Sequence, residues 1–569
     1  MARGAFVWLT FALMATAAAW VVRADTGPVP VQDDYYYQTL RLDSAFPSGE
    51  ALWAQLNEHR YPLPRLFTWA VGRVAGPGVV AGAAANLALG VLAAAGVLLA
   101  VRRARGRWQF GDALVPLAVL NVSDGSTRVW AVQVHFYLPE ALALAAAGVL
   151  AAGRADLGRG RLAAAWVLAS LLTLCGVVGI LLGSSLGVWL LAVAGLRWRV
   201  GQRAVAAASA LGGLGVLALA ASAFVGYTVP RHSDPPSLGP HTVEHFLRML
   251  ATAWGGAAER VRQDGWPAPL GLATAALVVV TAGALARAAR RGPAPAASLG
   301  LLAHLGGLIA AAAAGAYGRA FANQPGGGPV MRSFVTLLSL LLPLLYVAWL
   351  RVGGRAAARL RGALFLGTVA AAWPNFTHGE EQARGWYGPQ EMIRYDLYAR
   401  LPASALAEKY AWYVNPLSPA PNPADLKRLR DARVGPFRYL APERPLGETP
   451  LTWSASGAVA HPAGGFAPDE RLGSGLVRVV FTGAGPLDGV LLRYTLHPGG
   501  TDGHARYDRP SPEGRAPDRL THLNALAPGA GRAVKLWVGP GCEGFTLTFA
   551  GPTRLELLEL TGLTYDPLP

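Results

Sequence analysis

Long apolar runs recur through the first two-thirds of this chain, and short arginine clusters punctuate every second gap between them. The hydrocarbon core of a bilayer is about 30 Å thick and a helix rises about 1.5 Å per residue, so roughly 20 apolar residues cross it. The runs at 5–22, 78–101, 110–122, 138–153, 162–181, 184–197, 204–225, 269–286, 298–316, 331–350 and 361–374 fit that length or approach it. The third and sixth are short, as a tilted or broken segment would be. Composition agrees: only 15% of the 569 residues are charged and 53% are hydrophobic, against about 25% charged in a typical soluble domain. Intrinsic disorder is excluded by the same apolar content.

Charge sets the expected orientation. Arg102, Arg103, Arg105 and Arg107 form one cluster, and others are Arg154, Arg159, Arg161; Arg197, Arg199, Arg203; Arg287, Arg290, Arg291; and Arg351, Arg355, Arg359, Arg361. All fall in alternate short loops, which the positive-inside rule places in the cytoplasm. The intervening loops 23–77, 123–137, 226–268 and 317–330 lack such clusters and face the other side, as does everything after Trp373. Eleven spans, with the N-terminus inside and the C-terminus outside, satisfy charge and parity together. The first segment also resembles a signal peptide ending near Val22-Arg23-Ala24, and cleavage there would leave the remaining orientation unchanged. The net charge of +16 reads as topology rather than as a nucleic-acid face, because the arginines sit between apolar runs. Lysine is absent before Lys409, so a P-loop in the membrane region is impossible. Cys175 and Cys542 lie in opposite environments and build neither a disulfide nor a cysteine metal site.

The expected organisation is a transmembrane domain over 1–374 with extracytoplasmic loops 23–77 and 226–268, a helical linker region over 375–445, and a β-rich extracytoplasmic domain over 446–569. In the linker, helical patterns cover 389–400, 402–412 and 423–432. Beyond it, alternating segments at 450–459, 474–482, 489–496, 533–538, 544–550 and 554–561 suggest a β-sandwich or jelly-roll-like module.

The first outside loop carries the densest chemistry. Asp33 and Asp34 stand just past the first span, before Tyr35, Tyr36 and Tyr37. The tyrosines suit an interfacial belt. The paired carboxylates do not: a poorly solvated site raises a carboxylate pKa, which fits a general base or a metal ligand. A solvated acidic turn is the structural alternative. Ser48 is a candidate N-cap with Glu50 at the positive helix end, and 49–60 reads as a short helix stopped by Pro62 and Pro64. Glu58, His59 and Arg60 cluster at its end, and 65–75 is a second apolar surface segment. In the late outside loop, Arg332 opens an apolar run, where an unpaired charge is costly; Arg319 precedes it. The alternative for Arg332 is an anchor that snorkels to lipid headgroups. His241-Thr242-Val243-Glu244-His245 matches a zinc-protease pattern but lacks a compelling further ligand. Asp124, Arg128, His135 and Glu140 have a spacing that permits them to line a cavity without demanding it, and the sequons at Asn121 and Asn375 read as chance matches.

One N-terminal span, a long outside loop with an early acid and surface helices, many further spans and an outside C-terminal domain together resemble the GT-C superfamily of polytopic membrane glycosyltransferases, near uncharacterised bacterial members related to the lipid-linked mannosyl- and arabinosyltransferases. The residues that carry the resemblance are Gln32-Asp33-Asp34-Tyr35 and Asn57-Glu58-His59-Arg60-Tyr61-Pro62. Many members have Asp-Glu where this chain has Asp-Asp, which leaves open which carboxylate acts. The resemblance implies an inner-membrane enzyme that takes a sugar from a polyprenyl-phosphate donor to an extracytoplasmic acceptor, by inverting displacement. In it Asp33 or Asp34 would be the catalytic base. Glu58, His59 and Arg60 would bind substrate, and Arg332, with Arg319 second, would hold the donor phosphate. If a divalent ion is used, Asp33, Asp34 and His59 would be its ligands. The donor lipid and membrane lipid are the expected partners, with no nucleic acid. The competing readings are a transporter or flippase without chemistry, and a structural component of an envelope complex.

Overall fold

The computed structural model describes residues 2–42, 45–56, 59–152, 157–229, 239–260, 267–292, 294–318, 332–398, 400–414, 423–443 and the strand segments between 446 and 565. The protein is a multi-pass membrane protein: eight described segments are long and apolar enough to cross a bilayer. They are α1 (Ala2–Asp25), α5 (Val79–Arg105), Ala131–Ala151 containing α8 (Val134–Ala151), α10 (Gly176–Arg199), α11 (Arg203–Ser222), most of α14 (Pro267–Arg291), α15 (Pro295–Gly318), and Phe334–Val352, built from α16 (Arg332–Leu338) and α17 (Leu341–Val352).

Four expected spans take other forms. The run 110–122 folds as a 3-10 turn, Phe110–Ala113, and the six-residue α6 (Leu114–Val119), every residue of which is buried. Broken backbone is tolerated at such a place because protein, not lipid, surrounds it. The runs 162–181 and 184–197 divide earlier than expected, into α9 (Arg159–Thr173) and the 24-residue α10. Gly176 makes the division: its φ of 78° lies in the left-handed region, and a Cβ there would run into the Tyr61 ring. The run 361–374 is one part of the 45-residue α18 (Gly354–Tyr398).

The segment between α1 and α5 holds α2 (Asp34–Leu42), α3 (Gly49–Trp53) and α4 (Pro62–Ala75). Ser48 caps α3 as expected, its hydroxyl accepting the Ala51 N–H at 3.1 Å. The helix expected over 49–60 stops at Trp53, and Leu56 and His59 then exchange backbone hydrogen bonds. Pro62 starts α4 rather than merely ending what precedes it, because a helix needs no N–H at its first position. Fully buried Arg65 donates to the carbonyls of Ala51 and Leu52 at 2.6 and 3.1 Å, so α4 closes the open end of α3.

Two compact units divide the chain: residues 1–26 with 37–386, and residues 27–36 with 387–569. In the first, the core gathers Leu98, Leu114, Leu144, Leu150, Trp189 and Leu345 from α5, α6, α8, α10 and α17. Helices α10 and α11 pack closely at Gly187 and Gly213, each facing the other's backbone carbonyl. The second unit begins its folded part with α19 (Ala403–Lys409), α20 (Ala411–Val414) and α21 (Pro423–Asp431); Lys409 pairs with buried Asp396 at 2.8 Å. Among the described residues ten strands follow: β1 (Leu446–Pro450), β2 (Thr452–Ser456), β3 (Ala458–Ala460), β4 (Phe466–Pro468), β5 (Leu476–Thr482), β6 (Gly489–Leu496), β7 (Gly503–Tyr507), β8 (Gly529–Trp537), β9 (Gly544–Phe549) and β10 (Leu555–Tyr565). They form two antiparallel sheets, ordered β3-β4-β10-β6-β8 with β1 also on β10, and β2-β5-β9-β7.

Gly176→Ala places a side chain at a strained φ against Tyr61 and is expected to cost on the order of 1–3 kcal/mol. Thermal unfolding in detergent checks this: the melting temperature falls, whereas Gly195→Ala, whose added Cβ meets nothing, leaves it unchanged or slightly raised.

Candidate functional site

The Asp33-Asp34 pair sits in a constrained turn of the second unit. Gln32 has a φ of 51°, which a residue other than glycine rarely adopts. Its N–H donates to the Tyr413 carbonyl, and its own carbonyl accepts the Tyr35 N–H at 3.1 Å. The Asp34 N–H closes the turn on the Val31 carbonyl at 3.1 Å. Asp33 is half-buried, whereas Asp34 is only 1% exposed and opens α2, where the helix dipole favours negative charge. Tyr35 packs edge-on against Phe437, with ring centroids 6.5 Å apart. Tyr35 and, in the first unit, Tyr37 are buried in protein, so the belt of interfacial tyrosines expected from sequence is not what these two rings form.

In the first unit the loop residues meet the start of α8. The His59 ring lies 5.0 Å from the Tyr61 ring, which lies 4.9 Å from the His135 ring; Tyr37 is 6.4 Å from His135. His135 Nδ1 is 2.7 Å from the Val132 carbonyl. A carbonyl only accepts, so Nδ1 carries the proton and Nε2 is the basic nitrogen. Arg60 donates to the Gly226 carbonyl at 3.0 Å, and Gln55 makes paired hydrogen bonds with the backbone of Thr228. The segment around Gln55 and Arg60 is thus tied to the backbone at Gly226 and Thr228. Glu58 and Arg319 lie outside the described residues, and Arg332 is the first residue of α16.

A second constellation joins Asp124, Arg128 and Glu140. Asp124 caps α7 (Gly125–Val129): one carboxylate oxygen accepts the Thr127 N–H at 3.4 Å and the other accepts the Thr336 hydroxyl at 2.9 Å. Arg128 donates to the carbonyls of Asn121 at 2.7 Å and Val119 at 2.9 Å, and so holds the frayed end of α6. Glu140 accepts the Ser339 hydroxyl at 3.1 Å, where α16 passes into α17. Burial pushes the Asp124 carboxyl up to about 6; the hydrogen bonds from Thr127 and Thr336 and the Arg128 charge offset only part of that cost. The space beside Asp124, Arg128 and Ser339 is about 10 Å³, room for one water and too small for a sugar. This cluster therefore fixes the broken segment 110–130 rather than receiving a substrate. Asn375 acts likewise: its amide donates to the Trp254 carbonyl at 2.7 Å and accepts the Ala257 N–H at 3.1 Å. Sequence reading passed over Thr336 and Ser339, and took Asn375 as no more than a chance sequon. The visible signal was a pair of hydroxyls three residues apart in an otherwise apolar run.

The histidine motif on α12 (Pro240–Ala251) does not assemble a metal centre: Glu244 pairs with Arg248 at 3.0 Å, and among the described residues no group of three or more His, Cys, Asp or Glu is placed to hold an ion.

No protein-family model matches the chain, and no curated protein matches it. Among solved structures it is similar to ArnT from Cupriavidus metallidurans bound to undecaprenyl phosphate, at 16% identity and a TM-score of 0.38, covering 79% of this chain and 94% of that one. It is also similar to the arabinosyltransferase EmbB from Mycobacterium smegmatis, at 13% identity and a TM-score of 0.31, covering 98% of this chain and 64% of that one. At TM-scores this low neither similarity argues for a shared site.

Because the folded-state carboxyl of Asp124 sits above its ordinary value of 3.8, the native protein binds that proton more tightly than the unfolded chain does. Its contribution to stability is therefore full at low pH and declines as pH rises from about 4 to about 6. Thermal unfolding of Asp124→Asn across that window is expected to lose this decline; an unchanged pH slope contradicts the assignment.

Proposed function

We propose that the chain is a membrane glycosyltransferase of GT-C type, with Asp33 or Asp34 as general base. The observation that carries this reading is the turn itself. A strained Gln32 is held by Tyr413 immediately before two carboxylates, one of them almost fully buried, and strain of this kind persists where surrounding structure imposes it. The base removes the proton of an acceptor hydroxyl. The oxygen attacks the anomeric carbon of a polyprenyl-phosphate-linked sugar, the bond from that carbon to the phosphate oxygen breaks, and polyprenyl phosphate leaves with inversion. Arg332, with Arg319, neutralises the departing phosphate. Glu58, His59 and Arg60 orient the acceptor, and His59 beside Tyr61 supplies a ring face for a sugar. The ion ligands expected from sequence, Asp33, Asp34 and His59, are not among any group of described residues placed to hold a divalent ion. The same reading has a cytoplasmic N-terminus, an outside C-terminal β-sandwich-like domain and residence in the inner membrane.

A second reading, transport without chemistry, draws on one observation: Glu140 is a buried carboxylate within a spanning segment, bonded to Ser339 where another span is interrupted.

The test is transfer from polyprenyl-phosphate sugars in reconstituted vesicles. Replacing both Asp33 and Asp34 by Asn is expected to slow transfer by about 10²–10⁴-fold. Full transfer in both single variants and in the double variant removes the base. Loss of lipid-linked sugar movement in Glu140→Gln, with no transfer by the parent protein, selects transport.

A further inference from the structure

A further cavity belongs to neither constellation above. It has a volume of about 940 Å³ and lies where α5, α14 and α17 end and α15 and α18 begin, on the arginine-dense side of the first unit. Five guanidiniums line it, from Arg105, Arg287, Arg291, Arg351 and Arg361, and among the described residues no carboxylate does. Asp112 outside the lining answers Arg105, through an ion pair of 2.6 Å, and the Tyr346 hydroxyl accepts from Arg105 at 3.2 Å. Arg361 shares these partners, hydrogen-bonding the Tyr346 side chain and lying within reach of the Asp112 charge. It is 9% exposed and donates through Nη1 to the Trp349 carbonyl at 2.8 Å. Its Nε is buried without a hydrogen-bond partner among the described residues. Carbonyl ends of α5, α14 and α17 offset part of the positive charge, while the N-terminal ends of α15 and α18 add to it. Val280, Val347 and Leu350 form an apolar wall.

An arginine that only marks topology reaches for headgroups at the rim of the bundle. Here Arg361 is nine-tenths buried and keeps Nε unused among the described residues, beside a volume large enough for a phosphorylated molecule. Guanidiniums match phosphate oxygens in a planar fork. We infer that this cavity binds a phosphate-bearing anion between Arg361 and the exposed Arg287 and Arg291, with any hydrocarbon portion along the apolar wall. The proposal does not depend on the transfer reaction.

The experiment uses the full chain in detergent. Native mass spectrometry measures retention of phosphatidylglycerol against phosphatidylcholine, and thermal unfolding measures stabilisation by inorganic pyrophosphate. The variants are Arg361→Gln and the double Arg287→Gln/Arg291→Gln, which changes only exposed residues and so guards against misfolding; Arg102→Gln/Arg103→Gln, outside the cavity, is the control. The parent is expected to prefer the anionic lipid about ten-fold, with the preference lost in the cavity variants and kept in the control. Stabilisation by pyrophosphate that the cavity variants lose, without a lipid preference, supports the same site with a soluble ligand. Neither effect in the parent, or equal loss in the control, overturns the proposal.

Discussion

Charge buried among apolar helices has to be answered from within the protein, because lipid supplies no hydrogen bonds. That demand organises the first unit. Arg128 answers the carbonyls left open where α6 ends, and Asp124 supplies the cap that α7 needs to begin. Arg65 does the same for α3, and Asp112 with the Tyr346 hydroxyl answers Arg105 at the far end of α5. Each contact joins residues distant along the chain, or the two ends of a broken segment. An apolar bundle alone would be free to slide; these polar ties set register. The low volume beside Asp124 shows the tie is closed, so the same residues that look catalytic by type act here as structure.

The contrast with the Gln32-Asp33-Asp34 turn is one of cause. Asp124 has hydroxyl and amide partners that account for its burial, and its loop has no room for a substrate. Asp34 instead follows a left-handed Gln32 whose conformation costs free energy and is imposed by the Tyr413 carbonyl. A stable turn would be reached more cheaply with glycine at that position. The retained strain is what sets this pair apart from an ordinary acidic turn.

Much of the fold was legible because hydrophobic run length is a direct readout of bilayer thickness. The start of α5, the two helices α14 and α15, and the strands β5, β6 and β9 lie close to where periodicity and composition place them. The Ser48 cap was readable because capping is local chemistry. What misled was any feature decided by a distant neighbour. Gly176 looks like one more small residue in an apolar run until the Tyr61 ring is seen against it. Pro62 reads as a stop and is also a start. Thr336 and Ser339 gain meaning only when Asp124 and Glu140 arrive beside them. Asn375, read as a chance sequon, is the clamp on the turn at Trp254. Among the expected substrate residues, His59 and Arg60 were found in contact with His135's neighbour Tyr61 and with Gly226, associations that no spacing in the sequence encodes.

The most direct measurement is the fate of a doubly labelled polyprenyl-phosphate sugar, with one label on the sugar and one on the phosphate, in vesicles that contain the purified protein and a cell-envelope acceptor fraction. The account predicts protein-dependent separation of the labels, sugar leaving in the acceptor and phosphate staying with the lipid, with the anomeric centre inverted. Labels that stay together while the lipid changes leaflet would contradict it.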